Sequence, residues 1–395
     1  MVNYAPPEDT DSSPQDEPAI GMADKFHMVR GLFSSAYFRK IVRPRLYRKA
    51  GNEPERMHEL TTRLLSENHS VLRMISGIFR HPRELYVSVK GKPLAPFGTA
   101  AGLDKNGDAL KAFSYFFGFM EPGTVVASPR KGNDRPRVAV NEQALDVYNA
   151  QGFPSKGLAH FKERMIDYRK SGGRTPVYVS ICGLPISEEK AIDVAMGEMA
   201  VLLRELNEYA DGFVWNPFSP NTAALKLLME PELFKQTSEL MKRHAPDKLR
   251  LVKMGPYEEH ERPVSMKLAG SFIDGGGDGI VTTNTKMHPR EQVPHPAWGY
   301  KSAGRSGSFL RPYRLRAVRQ TREEFPDSLI IATGGIYDGD DAYETFKSGA
   351  NLLEGYTPYT FYGLGLLRDI EKRVARRLKQ DGYAGMEEMQ ASAKR

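Results

Sequence analysis

The sequence predicts an α/β fold: a (β/α)8 TIM barrel with an N-terminal helical extension. Three observations carry this. Eight short runs rich in Val, Ile, Leu or Thr recur over roughly 270 residues. Helical patterns such as "SEEKAIDVAMGEMAVLLRELNEYA" and "PYRLRAVRQTREEF" lie between them. Polar and glycine residues stand just past the C-terminal ends of successive runs, where such a barrel builds its site. An open doubly wound sheet is the structural alternative for the same alternation.

The chain divides into four parts. Residues 1–24 hold six acids and no Lys or Arg, the composition of a disordered tail and the reverse of a secretory signal. Residues 25–82 form a helical segment. Its first stretch carries Lys25, Arg30, Arg39, Lys40, Arg43, Arg45, Arg48 and Lys49 and no acid up to residue 49. Phe26, Val29, Phe33, Tyr37 and Ile41 step by three or four, one face of a basic amphipathic helix that Pro44 should end or kink. Such a helix suits a membrane surface. It equally suits docking on its own domain. Asn52 is the expected N-cap of the next helix, with Pro54 in its first turn, and "SVLRMISGIF" continues the pattern. Residues 83–380 are the barrel, opened by a strand pair in "ELYVSVKGKPLAP", and 381–395 a C-terminal tail.

The barrel strands are expected at 96–100, 124–128, 177–181, 212–216, 250–254, 279–284, 329–335 and 352–357. After the first comes "AAGLDKNG" with Lys105. The fourth runs into "NPFSPNTAALK", where two prolines stiffen a loop that presents Asn216, Ser219 and Asn221. The fifth holds Lys253, the sixth ends at Asn284 and Thr285, the seventh at Gly334-Gly335, and the eighth at Tyr356-Thr357.

Composition excludes other classes. No apolar run approaches the roughly eighteen residues of a membrane span. The single cysteine, Cys182, excludes an internal disulfide or a thiolate metal cluster. Despite a net charge of +7, the basic block sits beside an acidic tail and no recognition motif for nucleic acid is present. The histidines are scattered, with no metal-ligand spacing, and no nucleophile elbow appears.

The remaining residue types define a chemistry. The Gly pair after strand seven, "GYT" at strand eight and "GRSGSF" at 304–309 offer backbone N–H groups to a phosphate. Asn149, Asn216, Asn221 and Asn284 each offer donor and acceptor to a flat polar ring. Lys105 and Lys253 meet carboxylate or developing negative charge. A metal-free barrel of this kind leaves the hard chemistry to a cofactor.

"PFGTAAGLDKNGDA", "GNDRPRV", "SPNTAALK", "LVKMGP", "GIVTTNT", "GRSG", "ATGGI" and "GYTPYTFYG" together resemble the dihydroorotate dehydrogenase family, in order from about residue 50 to 375. The resemblance implies an FMN-binding barrel that oxidises dihydroorotate to orotate in pyrimidine synthesis. Ser219 is implied as the base for the C5 proton; serine there, not cysteine, marks the membrane-associated, quinone-dependent class. Lys105, Asn149, Phe153, Asn216, Asn221, Asn284 and Thr285 match the substrate contacts. Ala100, Ala101, Gly102, Lys105, Thr124, Asn149, Ser180, Asn216, Lys253, Thr283, Ser306, Gly307, Gly334, Gly335, Tyr356 and Thr357 match the flavin shell. "NEPERMHEL" resembles the N-terminal stretch that docks on the membrane and forms a quinone tunnel. A prokaryotic cytoplasmic membrane face is the expected location, ahead of the mitochondrial inner membrane. Three positions depart from the pattern: Ser180 for an expected Asn, Val140 for an Arg of the tunnel, and Pro217-Phe218 before the implied base. They leave an alternative: a flavin barrel oxidoreductase of the same family with another substrate or acceptor.

Overall fold

The computed structural model describes residues 18–185, 190–218 and 223–392. Eight parallel strands form the barrel: β1 (Phe97–Thr99), β2 (Phe119–Met120), β3 (Tyr178–Ile181), β4 (Gly212–Trp215), β5 (Leu249–Met254), β6 (Gly279–Thr282), β7 (Leu329–Thr333) and β8 (Leu352–Gly355). Their order is β2-β1-β8-β7-β6-β5-β4-β3. Parallel bridges Met120–Val177 and Val125–Ile181 join the two ends and close the ring. Closure removes sheet edges, so almost every strand residue is buried on both faces. That is why the sequence shows continuous apolar runs, not period-two alternation.

Seven expected strands lie within a residue or two of these bounds. The second does not. It was expected at 124–128, yet only Val125 of that run pairs, and the ladder sits at Phe119–Met120. Pro122 has no N–H to donate, and Gly123 takes φ +112°, outside the extended region. The chain instead bonds the end of β3, Ser180 N–H to Pro122 O at 2.9 Å and Val125 N–H to Ser180 O at 2.8 Å.

An antiparallel sheet that periodicity did not reveal lies over the mouth. Its order is Lys286–Pro289, Ser302–Gly307, Asp146–Asn149, Val138–Asn141. It is built from the segments following β2 and β6. Register sets Gly304 opposite Asn149 and Ser306 opposite Val147.

The N-terminal helices begin at Met22; residues 1–17 of the expected acidic tail lie outside the described residues. The first helix, Met22–Phe33, breaks at Ser34, not at Pro44. Ser34 is extended at φ −151° and its hydroxyl accepts from Tyr37 N–H at 3.2 Å, so it caps a new start. Pro44 lies harmlessly in the first turn of Arg43–Lys49. The buried face is Met28, Leu32, Phe38, Val42 and Leu46. The face read from the sequence is largely the outer one: Phe26 is 57% exposed, Phe33 41% and Ile41 45%. Both faces are apolar, so spacing alone could not choose between them. Asn52 is not the cap of Pro54–Glu67; it lies left-handed at φ +61°, and Glu53 occupies the capping position. At the other end, helix Gly365–Gln380 buries Leu366, Leu367, Ile370, Val374 and Leu378. A further helix, Met386–Ser392, buries Met386 and Met389. Among the described residues no helix is long and apolar enough to cross a membrane.

Candidate active site

Strand ends converge at the carboxyl mouth because parallel strands of similar length place their last residues at one level. From β6, Asn284 Nδ2 donates to Asn216 Oδ1 beyond β4 at 2.9 Å. Asn216 Nδ2 donates to Thr124 Oγ1 at 2.8 Å, and Thr124 meets the Ser180 hydroxyl at 3.1 Å. Thr285 N–H donates to Asn284 Oδ1 at 2.7 Å, which fixes that amide's orientation. Ser180, short where Asn was expected, therefore reaches Thr124. Asn284 Nδ2 also donates to the Phe218 carbonyl, tying down the loop that follows β4. Phe218 packs edge-on to Phe234 at 6.1 Å and lies over Gly255, where a Cβ would meet its ring at 3.0 Å. The Pro217-Phe218 departure thus anchors the loop on β5. Ser219 and Asn221 lie outside the described residues.

A second cluster gathers glycines. Gly307 and Gly334 have φ of +113° and +102°, conformations that favour glycine. A Cβ on Gly335 would sit 2.7 Å from Gly307 O and 3.0 Å from Arg311 N. The backbones therefore approach more closely than any side chain permits. The Ser306 and Thr357 hydroxyls meet at 2.9 Å, and helices begin at Arg311 and Thr357. Backbone N–H groups at two helix starts beside two hydroxyls, in a cradle a Cβ would fill, fit a phosphate group. Ala100, Ala101 and Gly102 close β1 on the same rim, Gly102 N–H donating to Gly123 O at 2.8 Å. Thr283 is buried at the end of β6.

Asn149 ends an accessory strand and donates to Gly304 O at 3.1 Å. Phe153, just beyond, is left-handed at φ +56°, a conformation costing a non-glycine residue about 1–2 kcal/mol.

Two features were missed by sequence reasoning. The first is Glu55, from helix Pro54–Glu67. Arg137 grips it with Nε at 3.0 Å from Oε2 and Nη2 at 3.0 Å from Oε1. Gln151 Nε2 donates to it at 3.2 Å, and Lys105 Nζ lies 3.9 Å away. Burial alone would raise the Glu55 carboxyl; the Lys105, Arg137 and Arg135 charges outweigh it and hold it below its usual range. On the same helix His58 stands edge-on to Tyr356 at 5.6 Å. Desolvation, then the Lys105 charge, push its imidazole down to about 3, so it is neutral at physiological pH. Desolvation likewise lowers Lys105 itself. Asp104, beside it, accepts from Asp108 and Ala109 N–H at 2.9 and 3.0 Å, yet burial and the Asp108 charge raise its carboxyl to about 7.

The second is carboxylate inside the barrel. Lys253 does not stand alone on β5. Its Nζ is 2.9 Å from Glu354 on β8 and 3.2 Å from Glu121 after β2, and all three are buried. Sequence did carry a signal, an acid inside the otherwise apolar "LLEGYT" run.

Val140 packs with Val138, Val147 and Phe361. The buried Arg43 guanidinium lies over the same Phe361 ring at 4.8 Å and donates to Thr360 O at 3.0 Å.

Barrel and site together define a cofactor-dependent enzyme with its chemistry at the carboxyl mouth. The family model for dihydroorotate dehydrogenase matches residues 84–378, and the chain belongs to that family. A relative from Rhodospirillum rubrum, named dihydroorotate dehydrogenase (quinone), is 33% identical over 358 residues, 86% of this chain and 90% of that protein. One of the same name from Azotobacter vinelandii is 32% identical over 336 residues, 82% and 93% of the two chains. The solved structure of DHODH from Eimeria tenella in complex with ferulenol superposes with a TM-score of 0.74, at 24% identity, over 86% of this chain and 95% of that one. At that identity the likeness speaks for the fold.

Proposed function

We propose that this chain oxidises dihydroorotate to orotate in pyrimidine synthesis, with FMN at the barrel mouth and a membrane quinone as final electron acceptor. The observation that carries the reading is the convergence of Asn216, Asn284 and Phe218 at the same carboxyl mouth that holds the glycine cradle. FMN, when bound, would supply the acceptor for the hydride. Its phosphate would rest on Ser306, Gly307, Gly334, Gly335 and Thr357, with Ala100, Ala101, Gly102, Thr124, Ser180, Thr283 and Tyr356 along its length.

Asn149, Asn216, Asn221, Asn284 and Thr285 would orient the substrate ring, each amide reading one N–H and one C=O. Lys105 would meet the substrate carboxylate and Phe153 would close one face. Ser219 would take the C5 proton, in a loop held against water by Phe218. Asn216 and Asn284 hold one another, which presets their amides and reduces the ordering needed on binding. The purified protein is expected to be yellow, and anaerobic dihydroorotate is expected to bleach its visible band. A yellow protein that stays yellow would move the substrate elsewhere within the family.

The N-terminal segment supports membrane docking. Phe26, Phe33, Ile41, Met74 and Ile78 are exposed apolar residues on adjoining helices, and Lys25, Arg30, Arg39 and Lys40 stand among them. A path from that face would pass His58 and Tyr356 to the flavin. Because Met28, Leu32 and Phe38 belong to the core, whole-segment deletion is a blunt test. The triple substitution Phe26→Ser/Ile41→Ser/Met74→Ser is expected to lower binding to anionic vesicles at least tenfold while dye-linked oxidation stays intact. Vesicle binding equal to the parent would sink the docking role. A peripheral position on the cytoplasmic face of a prokaryotic membrane follows from the same reading.

A further inference from the structure

The buried triad in the barrel holds two acids against one base. Glu354 reaches Lys253 through one oxygen at 2.9 Å, and its other oxygen, Oε2, has no partner. Glu121 faces the same ammonium with both oxygens, at 3.2 and 3.3 Å. The strands flanking β8 bring no further charge: β1 offers Phe97, Gly98 and Thr99 inward or outward, and β7 runs Leu329–Thr333. Among the described residues no other cation pairs with either carboxylate. One ammonium can balance one carboxylate in a dry interior; a second, ionised, would stand uncompensated at a cost of several kcal/mol.

The geometry points to Glu354 as a neutral carboxylic acid that accepts from the Lys253 ammonium through Oε1 while Oε2 carries the proton, so that Glu354 is a positioning residue for that lysine and the triad carries no net charge. Glu121 is the ionised member because both of its oxygens are engaged by the ammonium. Glu354 is the acid because its Oε2, unlike either oxygen of Glu121, is not engaged by the ammonium and is the oxygen left to carry the proton. Burial, and then the Glu121 charge, push Glu354 well above the usual carboxylate range, in the sense the geometry requires. Burial alone would lower Lys253; Glu121 and Glu354 reverse this and keep it charged. The consequence for the reaction rests on the flavin reading above. Negative charge developing beside Lys253 on reduction would meet a neutral triad, whereas an ionised Glu354 would oppose it.

An acid whose folded pKa is raised keeps its proton longer in the folded state, so folded stability is lost as pH rises above the ordinary Glu range.

The test uses the intact flavoprotein and two readouts that do not depend on turnover. Infrared difference spectra at neutral pH are expected to show a protonated carboxyl band in the parent that Glu354→Gln lacks. Asp104 contributes its own such band, so the difference between the two proteins is decisive. The midpoint potential of bound flavin in Glu354→Gln is expected to match the parent at pH 7, because glutamine mimics the neutral acid. A parent-minus-variant spectrum with no protonated carboxyl band, or a potential that rises at pH 7, would show Glu354 to be ionised and overturn the proposal. If Glu354→Gln does not fold, Glu121→Gln decides. Its remaining acid faces the ammonium alone and should ionise, so the parent-minus-variant spectrum should again contain a protonated carboxyl band; a difference spectrum without one overturns the proposal. Failure of dihydroorotate to bleach the flavin leaves these outcomes untouched and speaks only to the substrate.

Discussion

Ser219→Ala is expected to lower turnover by ~10²–10⁴-fold while flavin stays bound, the range a positioned general base supplies. Asn284 holds the Phe218 carbonyl, and Phe218 packs on Gly255 and Phe234, so the chain is anchored at the mouth as far as Phe218. A hydroxyl that acts only in the proton transfer lowers kcat when removed and leaves KM nearly unchanged. A serine hydroxyl accepts a proton only as it passes its own onward. Ser219→Cys, whose thiol ionises more readily, is therefore expected to keep part of the rate and to shift its pH profile to lower pH. Rapid-mixing reduction of the flavin by dihydroorotate measures both variants directly. A Ser219→Ala protein reduced at the parental rate would remove Ser219 from the role.

Arg137→Met is expected to destabilise the protein by about 3–5 kcal/mol, the cost of leaving a buried carboxylate without its partner. Glu55 would keep only Gln151, Lys105 at 3.9 Å and Arg135 at 3.6 Å. None of them reproduces the paired Arg137 contacts at 3.0 Å. Denaturant unfolding measures the loss, and Glu55→Gln combined with Arg137→Met should recover part of it, because the carboxylate is no longer stranded although Lys105 loses its nearest acid. A loss under 1 kcal/mol would mean that water reaches the pair. The same network has a functional edge. Glu55 sits on the N-terminal segment, yet its partners Arg137, Gln151 and Lys105 belong to the barrel. Glu55→Gln alone frees Lys105 from its nearest carboxylate, so KM for dihydroorotate should change more than kcat.

Much of this was legible in the chain. The barrel was readable because buried parallel strands must be continuous apolar runs, and seven of eight stood where those runs stand. The mouth residues were readable because strand ends and motif order coincide: Lys105, Asn216, Asn284 and Gly334-Gly335 all follow strands. The missed strand at Phe119–Met120 is two residues long, shorter than any periodicity can register. The misread N-terminal face has a different cause. Phe26 alternates with Met28 and Leu32 on the first helix and Ile41 with Phe38 and Val42 after the break at Ser34, and apolar residues on both sides leave the inward face undetermined.

What the sequence by itself determined is local: strand positions, the glycines and polar residues that follow their ends, and the prolines after β4. These follow from backbone sterics and hydrophobic period, which act over a few residues. What only the tertiary structure decided is pairing across the chain. Lys253 meets Glu121 and Glu354 across 132 and 101 residues of sequence. Glu55 meets Arg137 across 82. A charge read in a sequence has a type but no neighbours. In a dry interior the neighbours fix whether it is ionised, because burial and the facing charges together outweigh its intrinsic pKa.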